Sequence, residues 1–349
     1  MKIITCASYY GSGSSALTDL VAEYDNVKDL SNFEFRFLHD LDGVRDLEYH
    51  LVNNHNRHNS GHALKRFEKL SKFNEGNFLS KRYSQFFDGD DYHNITDNYI
   101  KSLIDFSYQG WWFYDLYDKG PRMYYFFQIV NHLYRKIAKG KLHILSNEFT
   151  YCTHPSEAEF MECTRKYVAD LLHALNKENK DYLEIDQIVP SSNIDQFLRY
   201  FEDEVFVFIV DRDPRDIYLL GKYYWKDGIC PSDPELFCKW YSYARKAGRN
   251  IDIEDSRIIK LKFEDIIYHY DNTVNHVEEI TGLDSKYHTH MFEKMNPKRS
   301  VVNTRLWEKH PDDKGIEIIT KNLPEYLYDY SAVDTMSIRG VEVINTSNF

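Results

Sequence analysis

A chain of 349 residues with 42% apolar content is long enough for one large α/β domain with an insertion, or for two smaller domains. Its formal net charge of −12 and pI near 5.7 exclude the broad basic surface with which proteins neutralise nucleic-acid phosphates, so nucleic acid is not an expected partner. The longest purely apolar run, "VFVFIV" at 205–210, is far short of the ~20 residues of a membrane-spanning helix, which leaves only peripheral attachment open. The N-terminus has too short an apolar stretch for a signal peptide. Cys6, Cys152, Cys163, Cys230 and Cys238 form no C-x-x-C pair and read as reduced thiols, so the expected location is the cytoplasm.

Residues 2–7 read as a short strand, and 14–24 as a helix with Leu17, Leu20 and Val21 on one face. "FEFRF" at 33–37 alternates as a strand does. From 44 to 140 the chain turns polar and aromatic, with helical spacing clearest in "LKRFEKLSKF" and "MYYFFQIVNHLYRKI". After Gly140, "LHIL" reads as a buried strand. The helix "HPSEAEFMECTRKYVADLLHAL" follows, with Ser156 and Glu159 spaced as a capping box. "YLEIDQIV", "VFVFIV" and "RIIKLKF" are further strands. One helix follows "RDPRD", and another, "TVNHVEEITGL", stops at Gly282. Strands alternating with helices imply a mostly parallel sheet covered on both faces. Residues 44–140 are then a helical, aromatic-rich insertion near its carboxyl edge.

"SYYGSGSSAL" joins the first strand to the first helix, where proteins hold phosphates. A Walker A loop needs G-x-x-x-x-G-K-[ST], and both the first Gly and the Lys are missing. A dinucleotide fingerprint fits Gly11-x-Gly13-x-x-Ala16, but Glu34 is a poor match for the acidic residue that should follow. A phosphosulfate loop would use Gly11 and Gly13 for close backbone approach, with Ser12, Ser14 and Ser15 as hydroxyl donors. A Ser-capped turn with no ligand also fits the loop.

"VFVFIVDRDPRDIYLL" is more specific. A buried strand delivers Arg212 and Arg215 at its carboxyl end, where ligands of open α/β sheets bind. Such arginines need a phosphate, a carboxylate or an internal network of aspartates as partner.

These motifs together resemble the sulfotransferases that use 3′-phosphoadenosine 5′-phosphosulfate (PAPS). "RDPRD" resembles that family's 3′-phosphate segment, and "SYYGSGSS" falls at its 5′-phosphosulfate loop. "LKFEDII" is similar to its "YEDL" signature, and "PKRSVVNTRLWEKH" at 297–310 to its basic segment before a nucleotide-covering Trp. The resemblance spans about 2–310. It implies a single P-loop-like three-layer α/β domain over 1–349, with 44–140 as the acceptor-binding insertion. It also implies sulfuryl transfer from PAPS, leaving 3′-phosphoadenosine 5′-phosphate (PAP), with no metal. By position, Arg212 would hold the 3′-phosphate with Lys298, Arg299 and Ser300. Phe263 would lie near the adenine, and Gly11, Ser12, Gly13, Ser14 and Ser15 would line the phosphosulfate.

Three departures stand out. Gly11 replaces the loop Lys that steadies the transferring group, and Leu220 replaces a Ser that touches the 3′-phosphate. The usual general-base region reads "EIDQIVPSSN", where Asp186 is the candidate base and Gln187 is not. With no loop Lys, Lys298 or Arg299 is the candidate cation. The histidines His50, His55, His58 and His62 are further base candidates, His58 foremost, unless they line a solvated helix face. Trp111, Trp112 and Tyr114 offer ring faces for a carbohydrate acceptor, such as a polysaccharide or lipopolysaccharide precursor, or else belong to the core. Two other readings stand beside the sulfotransferase. One is a non-sulfating nucleotide-binding relative, or a transferase with another nucleotide-linked donor. The other is an NAD-dependent oxidoreductase.

Overall fold

The computed structural model describes residues 1–56, 59–137, 145, 147–226, 228–246 and 255–333. The chain forms two compact units, one of residues 1–35 and 176–349 and the other of 36–175.

The first unit is an α/β fold around a five-stranded, wholly parallel sheet. Its strands are β1 (Lys2–Cys6), β2 (Val27–Lys28), β5 (Tyr182–Glu184), β6 (Glu204–Asp211) and β7 (Ile258–Lys262), in the order β2-β5-β1-β6-β7. β1 lies at the centre, paired with β5 through Ile4↔Glu184 and with β6 through Cys6↔Phe208. The chain moves from β1 outward to one edge, then crosses to build the other, so the carboxyl end of β1 is a topological switch point. β1 and β6 are buried almost end to end, as strands covered on both faces must be. Ile4, Cys6, Phe206, Phe208 and Val210 pack one face against helices Ser15–Val21, Phe263–Tyr268 and Tyr270–Thr281. Each fully buried Leu or Phe there contributes about 2 kcal/mol. A second apolar cluster joins helices Pro214–Leu219, Pro234–Lys246 and Gly315–Asn322.

The last turn of Tyr270–Thr281 ends as the sequence anticipates, with Gly282 left-handed (φ +76°) and its N–H donated to the Glu278 carbonyl. "FEFRF" does not form a strand. Only Glu34 bridges, to Asp186, while Phe35 and Phe37 turn into apolar cores. The outer strand is the shorter β2 instead.

The second unit is helical, with a two-stranded antiparallel sheet of β3 (Phe106–Gln109) and β4 (Phe149–Cys152). Its main helices are Ser60–Glu75, Asp91–Ser102, Gly120–Ile137 and Glu157–Leu175. The unit therefore extends past 44–140 at both ends. Helix Glu157–Leu175 belongs to it because the helix packs on Asp91–Ser102. The Tyr99 and Tyr167 rings stack at 4.3 Å, and the Tyr99 and Thr164 hydroxyls share a 2.8 Å hydrogen bond. The capping box is formed, with the Glu159 carboxylate accepting from the Ser156 N–H at 2.8 Å. Most of "LHIL" lies outside the described residues.

Candidate functional site

The glycine loop leaves the carboxyl end of β1. Gly11 (φ +71°) and Gly13 (φ +83°) both take the left-handed conformation that favours glycine. A Cβ on Gly13 would stand 2.4 Å from the Phe263 ring, and one on Gly11 would stand 2.8 Å from the Trp225 ring. Gly11 is thus held as a glycine: its backbone and the Trp225 ring both resist a side chain. Ser12 is buried, its hydroxyl donating to the Tyr9 carbonyl at 2.8 Å, so it shapes the loop from within. The Ser8 hydroxyl ties the loop to β6 by accepting from the Val210 N–H at 2.9 Å. Ser14 makes no side-chain cap, and Ser15 is exposed at the first turn of its helix.

β6 ends at Asp211 and delivers Arg212, which is 3% exposed. The Arg212 guanidinium lies over the Phe263 ring, 4.6 Å from its centroid, so Gly13 and Arg212 meet on one aromatic ring. Arg212 donates from Nη2 to the Asn303 carbonyl, but its buried Nε has no hydrogen-bond partner. A buried guanidinium N–H without an acceptor is costly, and an anion would satisfy it.

Arg215 is engaged differently. It is bidentate to Asp213, at 2.9 and 2.6 Å, and its guanidinium lies 3.7 Å from the Trp307 ring centroid. It braces the fold. Asp213 also caps the helix Pro214–Leu219 by accepting from the Arg215 N–H. Asp216 accepts from the N–H groups of Arg305 and Leu306, at 3.1 and 2.7 Å, anchoring the C-terminal segment. Burial pushes the Asp216 carboxyl up to about 7 and that of Glu264, beside it, up to about 8. Neither is a full counter-charge for Arg212 near neutral pH.

Among the remaining sequence candidates, Arg299 turns away to donate to the Glu293 and Lys294 carbonyls, at 3.2 and 2.8 Å. Lys298 is exposed and lines a cavity of about 480 Å³ with Tyr268, His269 and Phe292. The Ser300 hydroxyl meets the Met295 sulfur at 3.8 Å. It is Asn303 and Arg305, five or so residues on, that reach the arginine–aspartate network. Leu220 is buried in the second apolar cluster.

Asp186 stands just past β5, next to the end of β1, where the Gln187 N–H donates to the Cys6 carbonyl at 3.1 Å. The Cys6 thiol lies 3.9 Å from the Ser14 carbonyl, and burial first, then the charge of Asp186, pushes it up. Asp186 is buried and its Oδ1 has no partner. Burial first, then Glu34, pushes its carboxyl up to about 7, the range suited to a base at neutral pH.

Sequence reasoning missed Arg245. It is buried, pairs with Asp211, and stacks on Tyr241 and, at 4.3 Å, on Tyr9 at the loop's start. No local motif marks it; only the helix Pro234–Lys246 brings it to β6.

Within the second unit, a cavity of about 460 Å³ is lined by Phe106, Tyr108 and Trp112 and by His55, His62 and Lys65. Gly61 allows it, since a Cβ there would stand 1.9 Å from the Tyr151 carbonyl oxygen; helix and strand touch directly. His62 Nε2 lies 2.8 Å from Asp118, and Lys65 pairs with Asp115 at 2.7 Å. The buried Thr153 hydroxyl on the cavity wall has no partner. Trp112 therefore lines this cavity. Tyr114 lines a smaller one of about 200 Å³ with His50 and Arg66, and Trp111 lines neither. His58 lies outside the described residues. Among the described residues, no group of His, Cys, Asp and Glu is arranged to hold a metal ion.

No family model and no curated protein matches the chain. Among solved structures, it is similar to retinol dehydratase in complex with androsterone and inactive cofactor PAP. The identity is 11%, over 95% of this chain and 81% of that one, with a TM-score of 0.37. So loose an overlap assigns no function, and the reading below rests on the residues themselves.

Proposed function

We propose that the protein is a sulfotransferase that takes its sulfuryl group from PAPS and delivers it to a hydroxyl or amine of a carbohydrate acceptor. The observation that carries this reading is the buried Arg212, its Nε without a partner, sharing the Phe263 ring with Gly13 of a left-handed glycine loop. The residues fit a nucleotide with phosphates at both ends of its ribose. Arg212 would hold the 3′-phosphate, and the loop amides with Ser14 and Ser15 would hold the 5′ end.

PAPS supplies the activated sulfuryl group when bound. The chain's own contribution is positioning, charge stabilisation and a proton acceptor. Asp186, beside the end of β1 and with its carboxyl pushed up to about 7 by burial, is assigned the acceptor's proton. The second unit's cavity, with its rings and its spare Thr153 hydroxyl, is assigned the sugar. Lys298 and Arg299 are not assigned the stabilising cation, because Arg299 is committed to backbone carbonyls and Lys298 is solvent-exposed.

One observation favours a second reading, a nucleotide-binding protein of this fold that does not sulfate. The Gly11 site resists the lysine that the chemistry uses. Incubation with sulfur-labelled PAPS and a panel of oligosaccharides separates the two. Label in a saccharide, lost in Arg212→Ala, supports transfer. PAP binding without any label transfer supports the second reading. Binding of NAD in place of PAP would contradict both.

A further inference from the structure

Helix Gly120–Ile137 stands apart from the rest of the molecule in its surface chemistry. Of its side chains only Asn131 is buried. Phe126, Ile129, Leu133 and Ile137 follow one another at spacings of three and four, so they share one face. That face lies open to solvent: Ile129 is 62% exposed, Leu133 53% and Ile137 83%. A contiguous apolar stripe of this kind on a folded protein marks a surface that something covers.

Charge says what covers it. The protein as a whole carries −12, yet from Lys119 to Asn147 the sequence has Lys119, Arg122, Arg135, Lys136, Lys139 and Lys141 and not one Asp or Glu. Among the described residues, no carboxylate pairs with Arg122, Arg135 or Lys136. On the helical wheel Arg122 falls in line with the apolar stripe, one turn before it, and Lys136 at its edge in the last turn, whereas Arg135 lies on the opposite face. An apolar stripe with an unpaired cation at each end, in a stretch without acids, is the pattern of a helix lying in a lipid interface, rings and aliphatics among the acyl chains and cations at the headgroups. A second copy of this chain would bring the same cations to the same place, with no acid on the helix to meet them. No helix of the described residues is long and apolar enough to cross a membrane, so the contact is with the surface.

We infer that helix Gly120–Ile137 docks the protein onto an anionic lipid surface. This does not depend on the transferase reading. The test is co-sedimentation of the full chain with vesicles of phosphatidylcholine alone and of phosphatidylcholine mixed with phosphatidylglycerol, at low and high salt. The wild type should bind the mixed vesicles, release them in high salt and ignore the neutral ones. The double variant Arg122→Gln, Lys136→Gln should bind about thirtyfold more weakly. Ile129→Asp with Leu133→Asp, both at exposed sites and checked for unchanged circular dichroism, should abolish binding. Three results would overturn the proposal. One is a wild type that ignores anionic vesicles. Another is an aspartate variant that binds as well as wild type. The third is a dimer in light scattering that the aspartate variant breaks, with no lipid binding, which would make the occupant a second copy.

Discussion

The sheet edge of the first unit and the cavity of the second are built by opposite means. At the sheet edge the polar groups are buried and held by backbone: Arg212 is 3% exposed, Asp213 and Glu264 are fully buried, and the glycine loop is locked by aromatic rings. In the cavity the rings themselves are the exposed part, and Lys65 and His62 at its wall already lie against the carboxylates of Asp115 and Asp118. A buried site with an unanswered guanidinium selects for charge. An open one with ring faces selects for shape and hydroxyls. Under the proposed function, the sheet edge would take the anionic donor and the cavity the neutral, hydroxyl-rich acceptor.

The comparison is sharpest at Asp186. Folded, its carboxyl keeps its proton up to about pH 7; unfolded, it loses it near pH 4. Between these values the folded state binds more protons, so stability falls as pH rises from about 4 to 7, and the whole penalty remains above that. Asp186→Asn should therefore stabilise the protein by up to about 4 kcal/mol near pH 8 and hardly at all near pH 4. Denaturant unfolding at both pH values checks this. The same change should slow transfer by about a hundredfold or more, and remove the rise in rate through pH 7. Equal stability gains at both pH values would place the carboxyl in water.

Rigidity of the loop comes next. Gly13→Ala should cost about 3 kcal/mol, from the left-handed backbone plus the clash with Phe263. Gly89 in the second unit is also left-handed, but a Cβ there would meet nothing, so Gly89→Ala should cost only about 1 kcal/mol. Thermal melts of the two variants give the difference directly. The smallest effect belongs to the open cavity. Trp112→Ala should raise the acceptor KM by about fivefold and leave PAP affinity unchanged. A change in PAP affinity instead would mean the ring serves the donor.

How much of this could be read from the sequence follows from how local each signal is. Four of the five strands of the parallel sheet, the glycine turn after β1, the capping box at Ser156 and Glu159 and the stop at Gly282 all rest on neighbours a few residues apart, and they stand; the two-residue β2 is not read from the sequence. "FEFRF" misled because alternation marks a strand with one buried face, and Phe35 and Phe37 are buried without a strand to pair along. The reach of the C-terminal segment was misplaced for a related reason. A run of basic residues at 298–299 draws the eye, but Asn296 caps a turn that points Arg299 at its own backbone, and contact with Arg212 falls to the carbonyl of Asn303. Backbone acceptors leave no mark in a sequence. Arg245 and Trp225 likewise act on the loop from helices far along the chain.

The most direct measurement is a calorimetric titration of PAP into the wild type, Arg212→Ala and Arg215→Ala, each shown to be folded by its melting transition. The account predicts that the wild type binds and that Arg212→Ala binds at least about thirtyfold more weakly, the loss of charge-assisted hydrogen bonds to a phosphate. Arg215→Ala, whose guanidinium is spent on Asp213, should lose far less affinity. A wild type that does not bind PAP, or a folded Arg212→Ala that binds it as tightly, would contradict the account.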